Sequence, residues 1–169
     1  MSVATGTRVE TRVRTAVHLT DVVMGTFEHI LAHLGLGASY LSHHWKTIEL
    51  GLVTWIAEGS LADARLECGD PDDPEAVFEV PLSYQLNGDG DIGFVTSQAR
   101  ITRALAKLEA VPRGTAYRVV VTFDGQHTTV TGWTSTTAAT TAGMSSYAVG
   151  GLGSGPDAAA SLRYYSRGR

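Results

Sequence analysis

Cysteine is almost absent from this sequence: Cys68 stands alone among 169 residues. No disulfide can close within the chain, and a reducing cytoplasm is the expected compartment. Lysine is nearly as scarce, with only Lys46 and Lys107, so the basic charge is carried by arginine. Basic residues number 13 against 17 acidic ones, a net charge of −4. That balance leaves no electrostatic footprint for nucleic acid or an anionic membrane surface. No stretch approaches the roughly 18 consecutive apolar residues of a membrane span, and the first residues lack the apolar centre of a signal peptide. A Walker A lysine, a G-x-S-x-G elbow and a C-x-x-C pair are all missing, which removes the simplest routes to nucleotide, acyl-transfer and thiol chemistry.

What is present fits one domain with a core of its own: 43% of residues are hydrophobic and 18% charged. Residues 1–14 alternate Thr, Val and Arg and read as a flexible tail or a marginal edge strand. From about Asp21, Val23, Phe27, Ile30 and Leu34 share a helical face, which Gly35 and Gly37 end. Ser39 is placed to cap a second helix with the stripe Leu41, Trp45, Ile48, Leu52 and Trp55, closed by Gly59. The period then falls to two. Ala62, Ala64, Leu66 and Cys68 alternate with Asp63, Arg65 and Glu67, the turn Gly69–Glu75 follows, and Phe78, Val80, Leu82 and Tyr84 return. Pro81 points to an edge or a bulge in the return strand. A third helix is expected from about Ser97 to Val111, with Ile101, Leu105 and Leu108 inward and Pro112 as terminator. Tyr117–Phe123 is the strongest strand in the chain, with Asp124-Gly125 as a hairpin turn and Thr128–Thr131 returning.

Beyond Trp133 the character changes. Thr134–Ser161 is dominated by Thr, Ser, Ala and Gly, carries one charge (Asp157), and shows neither period. It is dotted with Met144, Tyr147 and Leu152 and ends in a strand-like Leu162–Ser166. Loops of this length within a domain are functional or disordered.

Candidate chemistry is thin. His29 and His33 stand four apart, but Glu28 precedes the first histidine where a zincin glutamate follows it. Helix-flank histidines are the better account. Asn87–Asp91 resembles a calcium loop, yet Ile92 and Gln98 occupy the positions that need Gly and Glu. No metal and no cofactor are expected. Eight acids between Glu67 and Asp91, with no Lys or Arg among them, read as a solvated hairpin rim, with a dock for a basic partner as the alternative.

The order helix, helix, acidic hairpin, helix, long strand and aromatic-dotted tail resembles the HORMA fold. Particular strings resemble the bacterial HORMA proteins of cyclic-oligonucleotide anti-phage systems (CBASS): Trp45 and Trp55, Glu58–Leu61, Gly88–Gly90, Gln98, Val111-Pro112 with Tyr117, Gly132-Trp133, Ala142–Met144 and Tyr164–Arg167. The resemblance implies an α+β fold, three helices packed on an antiparallel sheet with a C-terminal safety belt. It divides the chain into a tail at 1–14, a core at 15–132 and a belt at 133–169. It implies an adaptor, not an enzyme, that holds a closure-motif peptide as an added strand beneath the belt and activates a CD-NTase synthase. The implied peptide site comprises Tyr117, Val119, Val121 and Phe123 on the long strand, with Trp133, Met144, Tyr147, Leu152, Tyr164 and Tyr165 in the belt. An AAA+ ATPase gripping Arg8, Arg12 and Arg14 is the implied remodeller, and a second HORMA protein is a further candidate partner. Two rivals stay open: a constitutively closed binding module, and a small metal-dependent hydrolase using His29, His33 or His127.

Overall fold

Helix α1 runs from Ser2 to Leu34 in the computed structural model, which describes residues 2–84, 95–96, 98–107, 111–112 and 114–167. An irregular tail or edge strand over 1–14 is therefore corrected to helix. Among the described side chains, α1 is held by burial of Thr15, Ala16, Leu19, Val23, Met24, Phe27, Ile30 and Leu31. A helix nucleated by that packing propagates backwards at little cost per residue, and no proline interrupts the segment. The buried positions cover more than half of its circumference, because α1 touches α3, α4, β5 and β6. Gly35, left-handed at φ 69°, ends it as expected.

The second helical stripe is realised as α2 (Ser39–His43) and α3 (Trp45–Glu58), separated at His44. Ser39 does not cap: it is the first helical residue, and Ala38 precedes it without a side-chain cap bond. Leu41, Ile48, Leu52 and Trp55 are buried, and Gly59 closes α3 at φ 75°. Strands β1 (Leu61–Asp70) and β2 (Asp73–Tyr84) form the expected hairpin, with Leu66 opposite Phe78. After the two-residue strand β3 (Val95–Thr96), helix α4 spans Gln98–Leu105, shorter than expected, with Ile101 and Leu105 buried. The acidic turn at 87–91 and Leu108 lie outside the described residues.

Strands β4 (Tyr117–Phe123), β5 (Ser145–Ser154) and β6 (Ala158–Ser166) complete a six-stranded antiparallel sheet of order β3-β5-β6-β2-β1-β4. Much of the Thr134–Ser161 segment is thus strand. Its small residues hide the period, since alternation is legible only when the two faces differ in polarity. Pro81 lies in a central strand, not at an edge: it is paired with Asp63 of β1, while the ladder to β6 has no partner at Val80 or Pro81. That gap removes the need for the missing N–H. One face of the sheet carries Ala64, Leu66, Cys68, Phe78 and Val80 into the helices, and the core lies between these layers. Burial, with the Glu67 charge beside it, pushes the Cys68 thiol up to about 12, so the lone cysteine is an inert packing group. No helix among the described residues is long and apolar enough to cross a membrane.

Candidate functional site

The site is built around β4, because it is the outermost strand at its end of the sheet. Alternation divides its side chains between the two faces. Tyr117, Val119, Val121 and Phe123 face the helices and pack on the core, opposite Cys68, Leu66, Ala64 and Leu61 of β1. Arg118 and Val120 face the other way, opposite Glu67 and Arg65. An edge strand presents unpaired backbone groups, which invite another strand.

No return strand follows the turn at Asp124-Gly125, contrary to the hairpin expected at Thr128–Thr131. The segment 124–144 instead forms a strap drawn onto α3. Thr128 donates to Glu58 through its N–H (2.9 Å) and its hydroxyl (2.6 Å), and its carbonyl accepts Trp55 Nε1–H at 2.6 Å. These bonds satisfy groups that a hairpin ladder would have used. Trp133 then seats edge-on against Trp55, with ring centroids 5.0 Å apart, and its Nε1–H donates to the Thr47 carbonyl at 3.0 Å. Gly51 makes room for it. A Cβ there would lie 2.5 Å from Trp133 Nε1 and 2.8 Å from Trp55 Cζ3.

Three residues later the strap is on the opposite face of the sheet. Arg118 donates to Thr136 Oγ1 (3.0 Å) and the Thr137 carbonyl (2.8 Å), and the Ala139 N–H donates to Glu67 Oε2 at 2.8 Å. Residues 133–136, able to span about 10 Å when extended, therefore pass round the outer edge of β4. Two cavities of about 320 and 240 Å³ lie between that edge and the strap, sharing Val119, Val120, Trp133, Thr134 and Thr136 as walls. Trp55, Phe123 and His127 close one end, with His127 stacked on Phe123 at 3.5 Å. Tyr40 and His44 stand at the other. The strap then continues to β5 at the far side of the sheet.

The site residues expected from sequence divide into two groups. Val119, Val121, Phe123 and Trp133 line the cavity of about 320 Å³, and Tyr117 packs on Tyr40 at the other, tied by its hydroxyl to Gly37 and Leu41. Met144, Tyr147, Leu152, Tyr164 and Tyr165 are brought to the other end of the sheet, where Tyr147 stacks on Tyr164 at 4.8 Å. Strands β1 and β2 separate β6 from β4, a distance of about 14 Å. Arg12 and Arg14 are exposed on α1, and the side chain of Arg8 lies outside the description. His29 and His33 are exposed on the same helix. Among the described residues no group of three or more His, Cys, Asp or Glu could hold a metal ion.

Sequence reasoning missed Glu58, Gly51, Arg118 and above all Glu67. The acids from Glu67 onward read as a solvated rim, and Asp70, Asp72 and Asp73 are exposed, but Glu67 is only 1% exposed. Its charge is met by Arg118 at 2.7 Å. The available signal was Arg118 itself, a charge between the core positions of the best strand.

Burial alone would raise the Glu58 carboxyl, but hydrogen bonds from Ser60 and Thr128, helped by nearby His127, leave it below its ordinary value. A depressed carboxylate contributes stability above its unfolded pKa and loses it as pH falls through the folded value. Acidification below the usual carboxylate range should therefore loosen the strap at Thr128 in the wild type. In Glu58→Gln that extra acid sensitivity should vanish, as amide exchange at Thr128 relative to wild type at each pH would show.

An α+β domain whose strap passes round the free edge of its sheet defines the HORMA fold, and solved structures bear this out. The chain is similar to C. elegans HTP-1 bound to the HIM-3 closure motif, with a TM-score of 0.67 and 12% identity over 87% of each chain. It is similar to a chain of the mitotic checkpoint complex, with a TM-score of 0.67 and 12% identity over 89% of this chain and 99% of the other. It is also similar to a chain of the E. coli MS115-1 HORMA:CdnC:Trip13 complex, with a TM-score of 0.62 and 12% identity over 93% and 90%. No curated protein matches. The chain belongs to the bacterial HORMA domain 2 family, whose model matches residues 4–168.

Proposed function

We propose that this protein is a peptide-sensing adaptor: an extended closure-motif peptide adds to the outer edge of β4 and is enclosed by the strap. The observation that carries this reading is the course of residues 133–136 round that edge, with cavities left between strap and strand. Strand addition to an open edge is a general mode of peptide capture. Five or six backbone hydrogen bonds at roughly 1 kcal/mol each fall short of the roughly 8 kcal/mol of micromolar binding. Enclosure supplies the difference kinetically, because release then requires the strap to undock. Tyr117, Val119, Val121, Phe123 and Trp133 line or border the peptide, while Met144, Tyr147, Leu152, Tyr164 and Tyr165 hold the docked belt on the far strands. The division into core 15–132 and belt 133–169 follows that scheme.

The loaded form activates a CD-NTase, and an AAA+ ATPase resets it by pulling on residues 1–14 through Arg8, Arg12 and Arg14. The likeness to a HORMA protein in complex with CdnC and Trip13 supports these partners. Because residues 2–14 are helical, the remodeller has to unwind that stretch before it can thread it.

The test is selection of linear peptides from a random display library on the full chain, followed by limited proteolysis with a selected synthetic peptide. The strap between Thr134 and Met144 is expected to be cut in the free protein and protected when the peptide is bound. Resistance both with and without peptide would identify a constitutively closed module, and failure to retain any linear peptide would overturn the proposal outright.

A further inference from the structure

The strap from Thr136 to Ala142 reads Thr-Thr-Ala-Ala-Thr-Thr-Ala. Such a run has no bulky side chain to fix its register, since neighbouring registers bury nearly the same surface. What distinguishes one register is a pair of charges on the sheet. Glu67 projects from β1 on the face away from the helices and is almost wholly covered, while its partner Arg118 on β4 keeps about a quarter of its side chain exposed. Arg118 spends its donors on Glu67 Oε1, Thr136 Oγ1 and the Thr137 carbonyl, and the second oxygen of Glu67 accepts the Ala139 N–H. Ala138 is thereby straddled, one neighbour held by its carbonyl and the other by its N–H. Ala139 is 5% exposed beneath this grip.

We infer that Glu67 and Arg118 form a latch that sets the docked register of the strap and the rate at which it lifts. The role is one of positioning, since neither residue needs to touch the peptide. The physical logic favours a latch over a permanent clasp. The Glu67 end holds well because water is excluded there, while the Arg118 bonds to Thr136 and Thr137 are exposed; both ions regain hydration when the strap leaves, which offsets part of the loss. An apolar plug in the same place would have no such compensation. The consequence for peptide dwell time rests on the enclosure proposed above; the consequence for the strap itself does not.

The decisive measurement is amide hydrogen exchange on the full chain with no peptide added. Glu67→Ala is expected to accelerate exchange at residues 136–141 by at least about tenfold, with β1 and β2 core amides such as Leu66 and Phe78 near wild type. Glu67→Gln keeps an oxygen for the Ala139 N–H but not the charge on Arg118, so it should fall between, and it carries the test if the alanine variant does not fold. The double variant Glu67→Ala, Arg118→Ala should open no faster than the worse single, because the two act as a unit. Unchanged strap exchange, acceleration shared equally with β1 and β2, or strictly additive single effects would overturn the latch. With a selected peptide, Glu67→Gln should shorten dwell time in proportion to its exchange rate. An unchanged dwell time would remove the latch from release, whereas absence of peptide binding to wild type would sink the enclosure reading and leave the exchange result standing.

Discussion

Trp55→Ala should cost about 3–5 kcal/mol of folding stability, the usual range for deleting a large buried aromatic, and should release the strap at the same time. Trp55 is 2% exposed and packs edge-on against Phe123 at 4.8 Å and Trp133 at 5.0 Å. Its indole N–H donates to the Thr128 carbonyl at 2.6 Å. One side chain thus joins α3, the end of β4 and two points of the strap, Thr128 and Trp133. Trp55→Phe would keep most of the apolar contact but lose the hydrogen bond, for about 1–2 kcal/mol including the unmet carbonyl. Trp45 provides the internal control: it is half-buried, and its indole N–H goes to Glu49 one turn along the same helix. Its replacement should leave strap exchange unchanged. Denaturant unfolding read together with exchange over 128–139 would check both parts. A Trp55→Ala variant that lost stability while the strap stayed protected would break the link between them.

Gly51→Val should eject Trp133 from its seat. The added Cβ would overlap Trp133 and Trp55 at 2.5–2.8 Å, well inside contact distance. Trp55 is boxed in by Phe123 and the core, whereas Trp133 is half-buried and has solvent to move into. The overpacking should cost about 1–3 kcal/mol. For Gly51→Ala part of that is offset by roughly 1 kcal/mol of improved helix propensity. The larger effect is expected on the strap: without Trp133 docked, proteolysis between Thr134 and Met144 should be faster than in the free wild type. An alanine variant more stable than wild type, with tryptophan emission unmoved, would show that the gap at Gly51 is not what admits the ring.

Legibility from the sequence followed amphipathic contrast. The stripe Leu41, Ile48, Leu52, Trp55 and the alternation Phe78, Val80, Leu82 were readable because the apolar and polar sides differ sharply, and these positions are buried. Tyr117–Phe123 was bounded without error for the same reason. Residues 2–14 were misread because Thr, Val and Arg carry mixed local preference, and helix continuity from the buried stretch after Thr15 decides the outcome. Strand β5, with Gly150, Gly151 and Gly153 among its residues, offers no contrast between faces; pairing with β6 makes it a strand. Of the residues expected at the site, Val119, Val121, Phe123 and Trp133 line one cavity. Glu58, Glu67 and Gly51 were not legible, since each meets β4 or the strap through residues 51 or more positions away.

Local chemistry alone was enough to set one α+β domain, its main helices and its central hairpin, because periodicity and glycine stops act within a few residues. Only the folded chain decided that β4 would be an edge, that residues 133–136 would pass round it, and that an acid in an alternating strand would be sealed against an arginine. Those outcomes depend on which distant segment covers which face. A buried charge is stable only where that cover brings its partner, which no short window of sequence contains.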